Sequence, residues 1–348
     1  MNWLKGAWAS AAVGCSILFA SVVLLVVSAS AQALKSATVE QLKRSGDFRI
    51  QIPVDPVRDG DQFSLQERWR VIACGDAVRR IRPRLGEDLE YEHLEAYLGN
   101  CFRRMKELPS RWQQILGSTL VLLKLPTGGT CTAFLVNRKI ALTARHCFLP
   151  PRARVELPIE EGTVAASSIE GLGEPGKAWE VKGLRLVVDP LAPDTPVFAR
   201  LVRKAGIQFS ALDLVGISPR YVSEFPAVPA GVIFPTGTTS SVKVGTRLIV
   251  ASLFSADVGI VVDDLPSCKA VSVNGQAGYL RHRCQTLPGS SGAPVLIFSQ
   301  DSELVAVALH AGPEGNMSSS VPVVLENEAA LIPNEFIEEV RRLAGPSR

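Results

Sequence analysis

The spacing of apolar residues changes along this chain, from an apolar leader through a helical stretch to a long strand-rich region. Within residues 64–108 apolar positions recur at helical spacing, which predicts two helices broken around Pro83–Gly86. Ser64 followed by Glu67 fits a capping box at the start of the first helix. Pro109 marks the end of the helical stretch.

Short β-rich runs separated by Gly, Pro and Asn turns begin at about Leu116. Many short strands of this kind favour an all-β sandwich or barrel. The stretch 160–178, dense in Gly and Glu, is expected to be an inserted loop. The predicted strands are Thr119–Leu125, Ala133–Val136, Lys139–Thr143, Arg154–Leu157, Trp179–Val188, Val232–Phe234, Arg247–Phe254, Val258–Val262, Gly278–Cys284, Pro294–Phe298 and Leu304–Leu309.

An amphipathic helix is predicted at the end of the chain. Asn334 is its N-cap, and Gly345-Pro346 stops it. Its apolar face consists of Phe336, Ile337, Val340 and Leu343. The chain therefore divides into a leader at 1–31, a linker plus helical hairpin at 32–115, and one strand-rich domain at 116–345.

Residues 6–32 form an uncharged leader rich in Ala, Val, Leu and Ser that follows Lys5. The leader contains Ala29-Ser30-Ala31 near its end, a small-x-small pattern that signal peptidases accept. The run is also long enough to span a bilayer of about 30 Å, so an uncleaved membrane anchor is the alternative. Both interpretations take the bulk of the protein out of the cytoplasm, to a secreted or periplasmic location.

The number of cysteines outside the leader is even, which fits an exported, disulfide-bonded protein. Seven cysteines minus Cys15, which lies in the leader, leave Cys74, Cys101, Cys131, Cys147, Cys268 and Cys284. Pairing of each cysteine with its nearest neighbour in the sequence is the simplest of many connectivities. A Cys74–Cys101 disulfide would then link the two helices of the hairpin. The sequence contains no C-x-x-C pair and no Cys/His cluster at zinc spacing, so no metal site is expected.

Composition restricts the class of partner. The 348 residues are 47% hydrophobic and 20% charged, which is sufficient for a substantial core, and the net charge is only +3. The sequence has no basic stripe with interleaved aromatic residues, so nucleic acid is not an expected partner.

Two short stretches carry the candidate chemistry: LTARHC, which ends at Cys147, and LPGSSGAP, which ends at Pro294. The first offers the imidazole of His146, and the second offers the hydroxyl of Ser291 in a glycine-flanked turn. A serine hydroxyl is a poor nucleophile at neutral pH unless a base takes its proton, and imidazole is the usual base. The two stretches therefore indicate a serine hydrolase.

The segment GTCTAFLVNRKIALTARHC resembles the one before the active-site histidine in chymotrypsin-like (trypsin-fold) serine proteases, and LPGSSGAP resembles their G-x-S-G-x-P nucleophile motif. The resemblance covers about residues 116–345 and is closest to the bacterial V8-like (glutamyl endopeptidase) branch. It implies an all-β fold of two six-stranded antiparallel β-barrels with a C-terminal helix, here preceded by an α-helical segment. It also implies a serine endopeptidase that acts on polypeptides without a cofactor, and a Cys131–Cys147 disulfide beside the histidine.

The same resemblance assigns His146 as the base, Ser291 as the nucleophile, and an aspartate between them as the residue that orients the base. Asp213 lies just before a short hydrophobic run and best matches the family's acid; Asp194 and Asp189 are the alternatives. The backbone N–H groups of Gly289 and Ser291 are the expected donors of the oxyanion hole.

Substrate recognition is assigned by analogy with the glutamyl endopeptidases, which use a Thr and a His to bind an acidic P1 side chain. Thr286 and His310 fall at similar places, and His310, Ala311 and Gly312 are expected to pair with an extended substrate. The alternative for His310 is a side chain that ends a buried strand. No Asp stands in 285–290, which disfavours cleavage after Lys or Arg.

Two positions depart from the pattern of trypsin-like enzymes. Ser290 stands where those enzymes have the Asp that pairs with a freed N-terminus, so that activation salt bridge is not available. Arg145 replaces the common Ala before the histidine and is expected to point away from the catalytic face.

Three alternatives remain at this point. The fold would also suit a catalytically silent binding module, and the same triad would suit an esterase that is not a protease. Residues 32–115 are either a propeptide or a retained accessory segment.

Overall fold

A computed structural model of the chain describes residues 64–81, 91–149, 157–172, 178–192, 209–226, 241–255, 258–299, 303–313 and 326–344. The leader at 1–31, the linker up to residue 63, the strand predicted at 232–234 and the helix stop at 345–346 lie outside these residues. Most of the strand predicted at 154–157 does so too. Within the described part of the chain, no helix is long and apolar enough to span a bilayer.

The two helices predicted before residue 108 are present. They are α1 (Leu65–Ile81) and α2 (Tyr91–Cys101), and a Cys74–Cys101 disulfide with a Cα–Cα distance of 4.7 Å joins them. The capping box forms as expected, because the Ser64 N–H donates to the Glu67 carboxylate and the Glu67 N–H donates to the Ser64 hydroxyl.

A further helix, which the sequence analysis missed, follows this hairpin. After the two-residue strand β1 (Arg103–Arg104) and a 3₁₀ turn, α3 runs through Ser110–Thr119, so the strand predicted from Thr119 begins one residue later. The helix forms because Leu116 is fully buried and partly buried Trp112 packs beside it, which is helical spacing.

The first sheet closes into a barrel. Its strands are antiparallel and lie in the order β6-β5-β2-β3-β4-β8-β7. Only Gly183, with φ of 77°, separates β6 from β7, so these two are halves of one bent strand and the ring has six members. The strands are β2 (Leu120–Lys124), β3 (Thr130–Leu135), β4 (Ala141–Thr143), β5 (Ser168–Gly171), β6 (Trp179–Lys182), β7 (Leu184–Val188) and β8 (Val215–Pro219).

The expectation of an inserted loop over 160–178 is wrong for much of that stretch. It contains α4 (Glu161–Ala166) and strand β5, and β5 pairs with both β2 and β6. Val164 and Ile169 are fully buried in the core of the first barrel, which holds both elements in place. A helix of six residues and a strand of four are too short to show a hydrophobic period.

The second sheet also closes into a six-membered ring. Its strands are antiparallel in the order β1-β10-β9-β13-β14-β15-β12-β11, and an Arg247–Lys269 bridge joins the start of β9 to the start of β11. Strands β10 and β1 extend one edge. The strands are β9 (Ile249–Ser255), β10 (Gly259–Asp263), β11 (Ala270–Asn274), β12 (Tyr279–His282), β13 (Pro294–Phe298), β14 (Leu304–Pro313) and β15 (Asn327–Leu331). The expected fold class is confirmed, although β1 and β8 of the described strands, as well as β11 and β15, were not predicted.

Among the described residues, three apolar clusters form the core. One lies inside each barrel, and the third joins the two barrels through residues such as Phe134, Leu142, Ile249 and Leu296. The C-terminal helix α5 (Asn334–Ala344) packs on this third cluster through Phe336, which is fully buried. The cluster thereby fixes the loops of one barrel against those of the other.

Truncation of Phe336 is expected to destabilise the whole domain. Phe336→Ala should lower the free energy of unfolding by about 3–5 kcal/mol, because it leaves a cavity between the barrels. Leu343→Ala, on the same helix at 36% exposure, is the matched control and should have a much smaller effect. Urea unfolding of both variants is the measurement, and equal losses would show that the inter-barrel core does not depend on α5.

Candidate active site

Antiparallel pairing of β4 with β8 brings His146 and Asp213 together. Thr143 at the end of β4 lies opposite Val215 at the start of β8. The residues that follow β4 and those that precede β8 therefore leave the sheet side by side. His146 stands in the 3₁₀ turn after β4, and Asp213 stands two residues before β8.

The side chains of Asp213, His146 and Ser291 form one hydrogen-bonded line. Nδ1 of His146 lies 2.6 Å from Oδ2 of Asp213, and Nε2 lies 2.9 Å from Oγ of Ser291. Oδ1 of Asp213 also accepts the backbone N–H of His146 at 2.7 Å. All three predicted residues are therefore brought together, with the imidazole in the middle.

The electrostatics of His146 suit a proton acceptor. Burial lowers the pKa of His146, but the charge of Asp213 and its hydrogen bond outweigh burial and raise the pKa above the ordinary 6.5. Because a carboxylate only accepts, the bond to Asp213 keeps the proton on Nδ1 and leaves the Nε2 lone pair facing Ser291.

The turn that carries Ser291 is fixed by contacts with both barrels. The Thr132 N–H donates to the Ser291 carbonyl at 2.9 Å, and the Gly292 N–H donates to the His310 carbonyl at 2.8 Å. Gly292 has φ of 81°, and a Cβ there would clash with the Thr132 carbonyl and the Thr143 hydroxyl. Glycine is therefore required at this position.

The backbone next to Ser291 presents two unused donors. Gly289 has φ of 91°, and its carbonyl accepts a hydrogen bond from the Thr132 hydroxyl at 2.9 Å. No described residue accepts a hydrogen bond from the N–H of Gly289 or of Ser291. Both groups are thus available to an oxygen outside the protein chain.

Ser290 occupies a neutral, fully hydrogen-bonded site. It is 1% exposed, and its hydroxyl oxygen accepts the Leu287 N–H at 3.0 Å and bonds to the Ser252 hydroxyl at 2.9 Å. A short polar side chain thus ties the turn 287–290 to strand β9, without any charge.

The predicted substrate-binding residues differ in accessibility. Thr286, Ala311 and Gly312 are partly exposed, whereas His310 is only 3% exposed and its Nδ1 lies 3.3 Å from Nε2 of His282. Burial lowers the pKa of His282 to about 3, and burial together with His282 and His146 lowers the pKa of His310 well below 6.5. Both imidazoles are therefore neutral at neutral pH, and the N–H and carbonyl of His310 are already bonded to Ala293 and Gly292.

Two solved structures are similar to this chain in fold. A Glu endopeptidase in complex with MPD is 12% identical with a TM-score of 0.44, over 66% of this chain and 92% of its own. A protein designated HBP is 13% identical with a TM-score of 0.43, over 67% of this chain and 95% of its own. No protein-family model matches the sequence, and no curated protein is similar to it.

The fold follows from the arrangement of the two barrels. Two closed antiparallel barrels of six strands lie beside each other, the first carrying His146 and Asp213 and the second carrying Ser291. The fold is chymotrypsin-like. A disulfide beside the histidine, Cys131–Cys147, and a helix at the C-terminus accompany it, as the resemblance implied.

Arg145, next to His146, makes a contact that the sequence did not predict. It is fully buried, with Nε 2.9 Å from Oδ1 of Asp189 and Nη2 donating to the Leu157 carbonyl at 2.6 Å. The carboxylate of Asp189, an alternative candidate for the catalytic acid, therefore forms an ion pair with Arg145. Asp194, the other alternative, lies outside the described residues.

The cysteines pair as nearest neighbours along the chain, as Cys74–Cys101, Cys131–Cys147 and Cys268–Cys284. Across the described residues, the one cluster with metal-ligand spacing is Asp263 with Cys268 and Cys284. Its two sulfurs are joined in a disulfide and are not thiolates, so the cluster does not offer the ligands of a metal site.

Loss of the Arg145–Asp189 ion pair is expected to unfold the protein at lower denaturant concentration. Arg145→Ala removes the buried guanidinium that binds the carboxylate of Asp189, 6% exposed, which should cost about 3–5 kcal/mol of stability. Arg138→Ala is the matched control, because its pair with Glu224 is exposed and 3.8 Å long and should contribute less than about 1 kcal/mol. Urea titration measures both, and a small effect of Arg145→Ala would contradict the structural role.

Proposed function

We propose that this chain is an exported serine endopeptidase that hydrolyses peptide bonds through an acyl-enzyme intermediate. The observation that carries the proposal is the hydrogen-bonded line from Asp213 through His146 to Ser291, with separations of 2.6 and 2.9 Å. The chymotrypsin-like fold supports a protease in general. The two unused N–H groups at Gly289 and Ser291 support acyl transfer in particular.

In the proposed first half-reaction, Oγ of Ser291 attacks the scissile carbonyl carbon while Nε2 of His146 takes the hydroxyl proton. Asp213 stabilises the imidazolium that forms, and the N–H groups of Gly289 and Ser291 donate to the negative oxygen of the tetrahedral intermediate. His146 then gives its proton to the leaving amine, so that the C–N bond breaks and an ester on Ser291 remains.

In the second half-reaction, His146 takes a proton from water as the water oxygen attacks the ester carbonyl. The intermediate collapses, Ser291 recovers its proton from His146, and the new carboxylic acid leaves. The steps use only residues of this chain and water, and they balance without a metal ion or cofactor.

The proposed substrate is an extended polypeptide. Strand β14 reaches past the turn that carries Ser291, and its residues Ala311 and Gly312 are partly exposed, as is Thr286. We assign these three residues to substrate binding, with the substrate paired as an added strand along 311–312. His310 anchors this strand to the turn, because its N–H and carbonyl are bonded to Ala293 and Gly292. Because His310 is neutral and turned to His282, an acidic P1 side chain would meet a neutral donor here rather than an ion pair.

The disulfide bonds support the proposed export. The leader adds no structural support, because its residues lie outside the described part of the chain. Three disulfides are formed, and such bonds persist in oxidising compartments. We therefore assign the domain to the periplasm or to the exterior of the cell.

Replacement of the nucleophile is the direct test. Ser291→Ala should reduce casein hydrolysis by about 10⁴-fold or more, because the remaining groups cannot form the acyl ester. Ser110→Ala, on the exposed first turn of α3, is the matched control and should retain full activity. A fluorophosphonate probe should label the wild type and the control at Ser291 and should not label Ser291→Ala.

The outcome separates this proposal from the alternatives. Equal casein hydrolysis by wild type and Ser291→Ala would refute the proposed mechanism. A folded wild type that neither cleaves casein nor reacts with the probe would be a silent binding module. Labelling with hydrolysis of simple esters but of no peptide would indicate an esterase.

The pH dependence should report the interaction of His146 with Asp213. Since His146 acts as a base and its pKa is raised above 6.5, kcat/KM should fall on acidification with an apparent pKa above 6.5. Asp213→Asn removes the charge and leaves the lowering by burial, so the acid limb should move to lower pH while kcat falls about 10⁴-fold.

The buried carboxyl group of Asp263 also titrates in this pH range, and its effect on the pH profile has to be distinguished from that of His146. Burial raises the pKa of Asp263 to about 7, within the same range. The acid limb of kcat for Asp263→Asn should nevertheless match that of the wild type, because Asp263 contacts Gln285 and not His146. A limb that moves with Asp263→Asn and not with Asp213→Asn would contradict the assignment to His146.

A further inference from the structure

The helical hairpin reaches the chain segment that leads to Ser291. Tyr97 of α2 is fully buried, and its hydroxyl donates to Oε1 of Gln285 at 3.1 Å and approaches the Thr286 carbonyl at 3.5 Å. The ring of Tyr97 packs edge-to-face on Phe102, with centroids 5.5 Å apart. Burial and the charge of Asp263 raise the pKa of Tyr97, so its hydroxyl stays protonated and remains a donor.

Gln285 is held from its backbone as well as from its side chain. It is 1% exposed, and its N–H donates to Oδ2 of Asp263 at 2.5 Å. Oδ1 of the same carboxylate accepts the Leu265 N–H at 2.9 Å. The start of the segment 285–291 is therefore fixed between α2 and the turn after β10.

Ion pairs dock the hairpin beside Asp263. Both carboxylate oxygens of Asp264 are bound, one by Arg70 of α1 and one by Arg103 of β1, each at 3.1 Å, and Asp264 is 5% exposed. Glu67 of α1 adds a pair with Arg247 at 3.0 Å. The contacts of the hairpin thus concentrate at the place where the second barrel holds Gln285.

We propose that the hairpin is a permanent part of the active site, and that Tyr97 is a positioning residue which holds the wall of the substrate pocket at Gln285 and Thr286. This inference rests on the proposed function. Ser290 carries no charge that could bind a freed N-terminus, so the order of 285–291 has to come from contacts already present in the folded chain. Tyr97 supplies such a contact from outside the two barrels.

Removal of the Tyr97 hydroxyl tests the inference. Tyr97→Phe keeps the ring and its packing but leaves the buried Gln285 oxygen without this donor. Since the hydroxyl acts on the pocket wall, the KM for a peptide substrate should rise about 3- to 10-fold while kcat stays within about 2-fold of the wild type. Tyr221→Phe, the same change at a tyrosine that is 74% exposed, should alter neither constant.

A double-mutant cycle secures the assignment. Gln285→Met removes the acceptor at similar volume, and the effects of Tyr97→Phe and Gln285→Met on KM should be clearly less than multiplicative when combined, because both remove the same contact. Thermal unfolding of each variant, with assays well below the transition, keeps a loss of stability separate from a change in KM.

The outcomes are distinct from those that test the proposed function. If the wild type cleaves casein and reacts with fluorophosphonate but Tyr97→Phe keeps its KM, the positioning role is overturned and the protease assignment stands. A lower melting temperature with unchanged KM would likewise overturn it in favour of a purely structural tyrosine. A wild type that neither cleaves nor reacts overturns both.

Discussion

The carboxylate of Asp213 is the contact on which the candidate site depends. One oxygen holds the ring of His146 and the other holds its backbone N–H, so a single side chain fixes both the tautomer and the position of the imidazole. This is achieved because strands β4 and β8 pair in a register that places the two residues at the same end of the first barrel. A shift of that register by one residue would change the relative position of the two segments that carry His146 and Asp213.

Thr132 fixes the position of the turn that carries Ser291 relative to the first barrel. Its N–H binds the carbonyl of Ser291, its hydroxyl binds the carbonyl of Gly289, and its own carbonyl accepts the hydroxyl of Thr143. The turn that carries Ser291 belongs to the second barrel but is thus positioned by a strand of the first. The apolar cluster around Phe134 and Ile249 keeps the two barrels in contact, and Thr132 sets the fine alignment of their loops.

The sequence predicts the parts of the site that depend on local chemistry. His146 and Ser291 lie in short motifs whose glycines and cysteines are adjacent in the chain, and Asp213 lies just before a short hydrophobic run that resembles the context of the family's acid. Arg145–Asp189 and Tyr97–Gln285 could not be predicted, because their partners lie 44 and 188 residues apart and no local pattern links them. Each depends on the packing of the whole domain.

Strands β5, β11 and β15 were missed for a similar reason, because their formation depends on contacts with residues distant in the sequence. Strand β5 alternates but has only four residues, β15 is rich in alanine, and the side chains of β11 are mostly half-buried, so none of them shows an alternation long enough to predict a strand. They form because neighbouring strands offer unpaired backbone groups in a nearly closed ring. Tertiary context, rather than intrinsic propensity, decides their conformation.

The disulfides have a consequence for how the chain matures. Every cross-link closes a local loop, with separations of 27, 16 and 16 residues, and each described cysteine is bonded to its immediate neighbour in the cysteine order. In the proposed export, a chain that emerged amino end first would present each described cysteine with its native partner as the next thiol in the sequence. Pairing would then follow the order of emergence, one short loop at a time.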